Sequence, residues 1–237
     1  MNNSKRPQFT YLGHSTLRCD LAGGEVVLID PWVNNPTCPD SLKEFDRIDA
    51  MLITHGHFDH ISDAVELAQR HEPGVVVANP EICHWLAGKG VGNLREMNIG
   101  GEIDVLGCKI TMTWTQHSSG IVDGDQMVYG GNPGGYVVEM PGGYTFYHVG
   151  DTEVFSDLRL IGEFHHPDLV FVPIGDNYTM GPKRAAYACQ LLQADTVVPI
   201  HWGTFPILTG TPDDFARELA ELGVDCDLVI LQPGDVY

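Results

Sequence analysis

The stretch Ala50-Met51-Leu52-Ile53-Thr54-His55-Gly56-His57-Phe58-Asp59-His60 decides how this 237-residue chain is read. A short apolar run ends abruptly in three imidazoles and a carboxylate packed between positions 55 and 60. Extended backbone sends alternate side chains to one face. A strand running on into the turn therefore points His55, His57 and Asp59 one way, while His60 swings round from the bend. Imidazoles and a carboxylate converging like this make a metal-binding geometry. The competing reading is a polar loop that merely happens to be rich in histidine.

Working outward, the sequence alternates strand and helix patterns. Upstream, Phe9–Leu12 and Leu17–Leu21 read as strands around a turn at Gly13-His14-Ser15, and Val26–Ile29 is apolar enough to lie inside a sheet before Asp30-Pro31-Trp32. Downstream, Ala64, Val65, Leu67 and Ala68 share a helical face that Ser62 caps and Pro73-Gly74 ends. Val75–Ala78 follows as a buried strand, and Pro80 opens a helix that stops at Gly88. Segments 103–105, 109–115, 135–140 and 144–148 read as consecutive strands, the last two joined by a Pro141-Gly142-Gly143 turn. Alternation then resumes with a helix near 155–164, strand 169–173, a helix from Pro182 to about Gln193 and strand 196–200. Thr211-Pro212-Asp213-Asp214 starts the clearest helix, with an apolar face of Phe215, Leu219 and Leu222, and strand 228–231 closes the chain. The pattern implies an α/β domain spanning 1–237, with two packed sheets covered by helices on both outer faces.

Composition narrows the classes. With 43% hydrophobic residues the chain is long enough for one sizeable core. A formal net charge of −19 disfavours nucleic acid as a partner, because that affinity comes mainly from lysine and arginine neutralising phosphates. No run approaches the roughly 18 apolar residues of a membrane span, and Met1 to Pro7 lacks the apolar core of a signal peptide, so a soluble, cytoplasmic protein is expected. The six cysteines contain no C-x-x-C pair and read as free thiols.

A site with two metals needs further ligands, and three candidates stand at ends of predicted strands: His117, Asp151 and His201. With Gly13-His14-Ser15-Thr16, His55 to His60, Gly131 to Gly135, Gly150-Asp151-Thr152, Pro173 to Pro182 and His201 to Pro206, the chain resembles the metallo-β-lactamase-fold hydrolases. Within them it is most similar to small bacterial and archaeal metal-dependent hydrolases related to the ascorbate-phosphate lactonases. The resemblance implies an αββα sandwich of two mixed sheets. It also implies two divalent metal ions, zinc first, with manganese, nickel or iron as alternatives. One would sit on His55, His57 and His117, the other on Asp59, His60 and His201, with Asp151 bridging. Asp59 and Asp151 would then serve catalysis, and a hydroxide shared by the metals would attack a small ester, lactone or phosphodiester. Glutamate replaces His57 in flavodiiron relatives of this fold and cysteine replaces Asp151 in the β-lactamases, so redox chemistry and antibiotic hydrolysis are both disfavoured.

Around this centre, His14 reads either as a site residue or as a turn histidine satisfied locally. His148 is placed to hold a ligand through its free N–H. Asn177, Tyr178, Thr179, Met180 and Trp202 are expected to wall a cleft for a small-molecule substrate, with backbone N–H groups at the Pro182 helix ready for an anionic group. Proteins of the resembled group often have Tyr-Asn where Trp202-Gly203 stands, an exchange that removes a hydroxyl and an amide close to the expected metals. Two rival functions remain, a nuclease of the same fold and a non-catalytic metal- or ligand-binding protein, and homo-oligomerisation stays open.

Overall fold

The computed structural model describes residues 6–237. Its first sheet contains β1 (Gln8–Tyr11), β2 (Leu17–Asp20), β3 (Val26–Ile29), β4 (Ala50–Leu52), β5 (Val75–Ala78) and β6 (Leu94–Glu96), side by side in that order. The β1–β2–β3 portion is antiparallel, and β3 to β6 run parallel. Between these strands lie the single turn α1 (Phe58–Ile61), α2 (Ala64–His71) and α3 (Pro80–Gly88).

The second sheet is built from β7 (Glu102–Val105), β8 (Cys108–Trp114), β11 (Gly134–Glu139), β12 (Thr145–His148), β13 (Leu169–Pro173), β14 (Thr196–Ile200) and β15 (Asp227–Leu228). The missing numbers, β9 (Gly120–Asp123) and β10 (Gln126–Tyr129), pair with each other as a separate hairpin. Strands β7, β8, β11 and β12 are antiparallel neighbours, whereas β12 to β15 are parallel, connected through α4 (Leu158–His165), α5 (Pro182–Leu192) and α6 (Pro212–Leu222).

Strict side-chain alternation explains the layering. In β13, Leu169 and Phe171 enter the core between the sheets while Val170 and Val172 pack outward beneath α4, α5 and α6. In β4, Ala50 and Leu52 face the other sheet, and Met51 packs against α2 and α3. Strands apolar on both faces thus acquire three apolar layers and the helices end up outside, the αββα architecture. Phe9 anchors the central layer, meeting Phe146 and Phe171 edge-on at 4.8 and 5.1 Å between ring centroids.

Several details differ from the pattern reading. Ser62 closes α1, bonding back to the Phe58 carbonyl, and does not cap α2; Asp63 takes the N-cap position of α2 and turns its carboxylate to Asn34. α4 begins at Leu158, and the last strand is only Asp227–Leu228. Strand β6 and the β9–β10 hairpin were not legible, because β6 is three residues long and the hairpin is largely exposed, with little alternation to signal it. All six cysteines are free thiols, five of them buried. Among the described residues, no helix is long and apolar enough to cross a membrane.

Candidate metal centre

One edge of the sandwich collects the carboxyl ends of β3, β4, β12 and β14 together with the end of β8, and from these ends project Asp30, His55, Asp151, His201 and His117. Parallel strands leave their polar loops on the same side, which is where α/β sheets bind ligands. Three of the residues gathered there, His14, Asp30 and His201, hold left-handed backbone at φ 55°, 49° and 55°. A non-glycine residue in this region is strained, so its side chain is retained for what it contacts.

The side chains meet around Asp151. Its Oδ2 lies 3.1 Å from His201 Nε2, 3.2 Å from His60 Nε2, 3.6 Å from His117 Nε2 and 3.9 Å from His55 Nε2. Beside it, His55 Nε2 and His117 Nε2 approach His57 Nδ1 to 3.0 and 3.2 Å. On the other flank, His201 Nε2 lies 3.6 Å and His60 Nε2 4.0 Å from Asp59 Oδ2. The nitrogens of His60 and His201 that face Asp151, and Asp151 Oδ1, are buried without a hydrogen-bond partner. Buried polar atoms are ordinarily paired, so several orphans aimed at one point mark a place built for a cation. Neighbouring nitrogens bound to a tetrahedral zinc at about 2.0–2.1 Å lie roughly 3.3 Å apart, close to the separations around His57. Metal therefore fits the donors present, and the donors fall into groups on either side of Asp151.

Bonds behind the cluster settle which nitrogen is offered. Asp30, fully buried, accepts from the Thr54 amide and from the Thr54 hydroxyl, both at 2.8 Å, and holds His60 Nδ1 at 2.7 Å. The Thr54 oxygen in turn meets His55 Nδ1 at 3.0 Å. In their neutral form both imidazoles thereby carry their proton on Nδ1 and turn the lone pair of Nε2 toward Asp151. His57 Nε2 rests 3.2 Å from the Ser118 hydroxyl, leaving Nδ1 for the cluster. Gly56 makes the motif compact: a Cβ there would sit 2.6 Å from Ile121 of the β9–β10 hairpin. Gly175 does the same for His201, whose carbonyl oxygen would lie 2.1 Å from a Cβ at that position.

In the metal-free protein, charge spreads unevenly. Burial alone would raise the Asp151 carboxyl, but His201 and His60 hold it well below the usual carboxylate range. Burial would likewise lower His201 and His60; Asp151 overrides it, taking His201 up to about 9 and His60 well above its ordinary value. His55, His57 and His117 go down, chiefly because burial disfavours their cations. His55, His57 and His117 are ready to bind as neutral imidazoles, whereas His60 and His201 must release protons to do so.

Residues 25–202 match the Beta-lactamase superfamily domain. A UPF0173 metal-dependent hydrolase of Koribacter versatilis is 49% identical over 231 residues, covering 97% of both chains. Another, from Solibacter usitatus, is 48% identical over 96% of this chain and 97% of its own. The chain belongs to this family of metal-dependent hydrolases. Among solved structures, Igni18, a metallo hydrolase from Ignicoccus hospitalis, superposes with a TM-score of 0.85 at 33% identity, covering 98% of this chain and 97% of that one.

Within this hydrolase, the structure brings His55, His57, Asp59, His60, His117, Asp151 and His201 together. His14 joins them: Thr204 Oγ1 lies 2.8 Å from its Nδ1, and its Nε2 lies 2.9 Å from Asp59 Oδ2. Burial, reinforced by His201, pulls the His14 imidazole down to about 4, so it is neutral and its single proton points at Asp59.

Other expectations need correcting. His148 spends both ring nitrogens on backbone and not on a ligand side chain; its Nε2 donates to the Ser15 carbonyl and its Nδ1 accepts from the Gly150 amide, pinning the backbone on both sides of the site. Met180 is buried in the layer under α5 and α6, because its apolar side chain gains more there than at the mouth. Trp202 packs against the same layer and donates its indole N–H to the Pro199 carbonyl, so it does not line the cleft. Thr179 is half-buried and also absent from the lining, whereas Asn177 and Tyr178 do line it. Residues Gly181 to Arg184, at the start of α5, border a separate surface cavity with Asp214 and Arg217. Asp30, Thr54, Ser118 and Thr204 were missed. For Asp30 the signal was present, an acid closing a buried strand beside β4.

Proposed function

We propose that this chain is a binuclear hydrolase holding one divalent ion on His55, His57 and His117 and a second on Asp59, His60 and His201, with Asp151 shared between them. The ions are zinc, or else manganese, nickel or iron, since mixed nitrogen and oxygen donors suit all four. The observation carrying this reading is the position of Asp151 Oδ2, within 3.1–3.9 Å of the Nε2 atoms of four histidines drawn from both groups. A bound pair of such ions supplies Lewis acidity and lowers the pKa of a water they hold towards about 7.

The chain's own groups do the rest. His14 donates to Asp59 and fixes its carboxylate on the cleft side of the cluster, where it can orient the attacking water or take its proton. Asp30 and Thr54 lock His60 and His55 in one tautomer, so neither can turn an N–H toward the centre. The reaction class is hydrolysis of a small ester, lactone or phosphodiester. Six free cysteines suit the reducing cytoplasm, where we place the protein.

Elemental analysis after metal saturation should give two ions per chain. The saturated protein should turn over members of a panel of carboxylic esters, lactones and phosphodiesters, and Asp151→Asn should abolish that turnover. Saturation at one ion contradicts the binuclear assignment. Cleavage of single-stranded RNA alone would identify a nuclease, and no turnover of any member would leave a metal-binding protein.

A further inference from the structure

The cluster forms the floor of a cleft of about 670 Å³, the size of a small-molecule site. Its walls are unlike the rest of this acidic surface. Of the thirteen exposed large hydrophobic side chains among the described residues, five meet here: Phe58, Val122, Met127, Tyr178 and Ile207. Phe205 completes the wall. Exposed apolar side chains scattered singly need no explanation, but their concentration around one polar floor does.

The wall is also built to stay in place. Trp32 stacks on Phe205 at 5.9 Å and meets Phe58 at 5.7 Å, so two of the wall rings rest on a buried indole. On the opposite side, Val122 and Met127 are cross-strand partners in the β9–β10 hairpin. Their neighbour Ile121 is buried in the layer beneath, and alternation therefore turns Val122 and Met127 toward the cleft. Among the described residues, no lysine or arginine lines the cleft; its carboxylates and imidazoles all belong to the cluster itself, and Tyr178 adds a phenol. A second anionic group on a substrate, away from the scissile bond, would find no cation to meet it.

We propose that the substrate is a carboxylic ester or lactone whose acyl or aryl portion is uncharged and apolar, seated between the hairpin and the Phe58–Phe205 wall with its carbonyl over the cluster. The reaction class rests on the hydrolase reading; the apolar occupant rests on the walls alone. Hydrolysis forms a bond from the water oxygen to the acyl carbon and breaks the bond from that carbon to the leaving oxygen. The water proton passes to the leaving oxygen, giving a carboxylic acid and an alcohol.

Two measurements on the full chain test the proposal. First, the metal-loaded protein is given p-nitrophenyl acetate, p-nitrophenyl hexanoate and the mono-p-nitrophenyl ester of adipic acid, which matches hexanoate in length but ends in a carboxylate. The expected kcat/KM for hexanoate is at least tenfold above both others, and Met127→Asp should bring its advantage over acetate towards one. Second, the metal-stripped protein is titrated with the neutral fluorophore N-phenyl-1-naphthylamine, which should bind saturably and at least tenfold more weakly to Met127→Asp. Met127 is 71% exposed, so the substitution does not threaten the fold. Adipate ester cleaved as well as hexanoate, or fluorophore binding indifferent to Met127→Asp, overturns the proposal. Fluorophore binding as expected with no ester cleaved would sink the hydrolase reading and keep the apolar occupant. Ester cleavage without chain-length preference or fluorophore binding would do the reverse. Sedimentation at the same concentrations covers the remaining occupant: an oligomer that shuts the fluorophore out assigns the rim to a second copy of the chain and overturns the proposal.

Discussion

Asp30→Asn changes one buried oxygen into an amide nitrogen and tests how the centre is held. In the wild type, Asp30 Oδ1 accepts from the Thr54 amide, and Oδ2 holds both the Thr54 hydroxyl and His60 Nδ1 at 2.7–2.8 Å. Asparagine keeps the first bond through its carbonyl. The Thr54 hydroxyl can rotate to accept from the new NH2, so its contact with His55 survives. His60 has no such escape: its Nδ1–H would face another donor inside a fully buried pocket. To relieve this clash His60 must move its proton to Nε2, which removes the lone pair aimed at Asp151. Outer partners of metal-binding histidines are typically worth 10–100-fold in affinity, about 1.4–2.7 kcal/mol. We expect a loss of that size for the ion on Asp59, His60 and His201, and little change for the ion on His55, His57 and His117. Competition of the metal-stripped variant against a chromophoric chelator reads both affinities in one titration. Two ions bound with wild-type affinity, or a loss confined to the His57 side, would refute the reasoning.

Asp151→Asn should weaken both ions together, whereas His57→Ala should empty mainly one; calorimetric titration of each variant distinguishes a shared carboxylate from a private one. The raised His60 and His201 make a prediction about pH. Their stabilisation of the metal-free fold is fully present below the ordinary imidazole value near 6.5 and is lost as pH rises through their folded values, about 9 for His201. The melting temperature of the metal-free protein should therefore fall between about pH 7 and 9.5, while the metal-loaded protein should not show this fall, and metal uptake at pH 7 should release protons into a weak buffer. Trp202→Ala should destabilise by about 2–4 kcal/mol in urea unfolding, reduced from a full core truncation because the ring is only half-buried, with kinetic constants of the folded enzyme unchanged. Met180→Ala should behave alike; an altered substrate preference in either variant would return that residue to the cleft.

The periodicity of most strands, the Thr211 cap and the 55–60 motif were readable from the sequence, because each is a local consequence of residue order. Alternation puts Val170 and Val172 opposite Leu169 and Phe171 whatever the rest of the chain does, and Thr211 caps α6 through a contact three residues away. Strand ends carrying His117, Asp151 and His201 could be recognised as candidates for the same reason. That Asp30 stands behind His60 and that His14 reaches Asp59 across 45 positions depend on which strands neighbour one another in the first sheet, and that Thr204 steadies His14 across 190 depends on how the two sheets are stacked. No local pattern encodes such separations. The side taken by an apolar residue in a loop was equally hidden. Tyr178, Met180 and Trp202 look alike as apolar loop residues, yet Tyr178 stands at the cleft while Met180 and Trp202 turn into the helical layer. The hairpin that supplies Val122 and Met127 has no secondary-structure signal strong enough to announce it. Residue order thus determined most of the strands, the longer helices and which side chains were candidate ligands. Tertiary packing alone decided the neighbours of each ligand and the apolar walls, because burial is settled by what the finished layers leave uncovered.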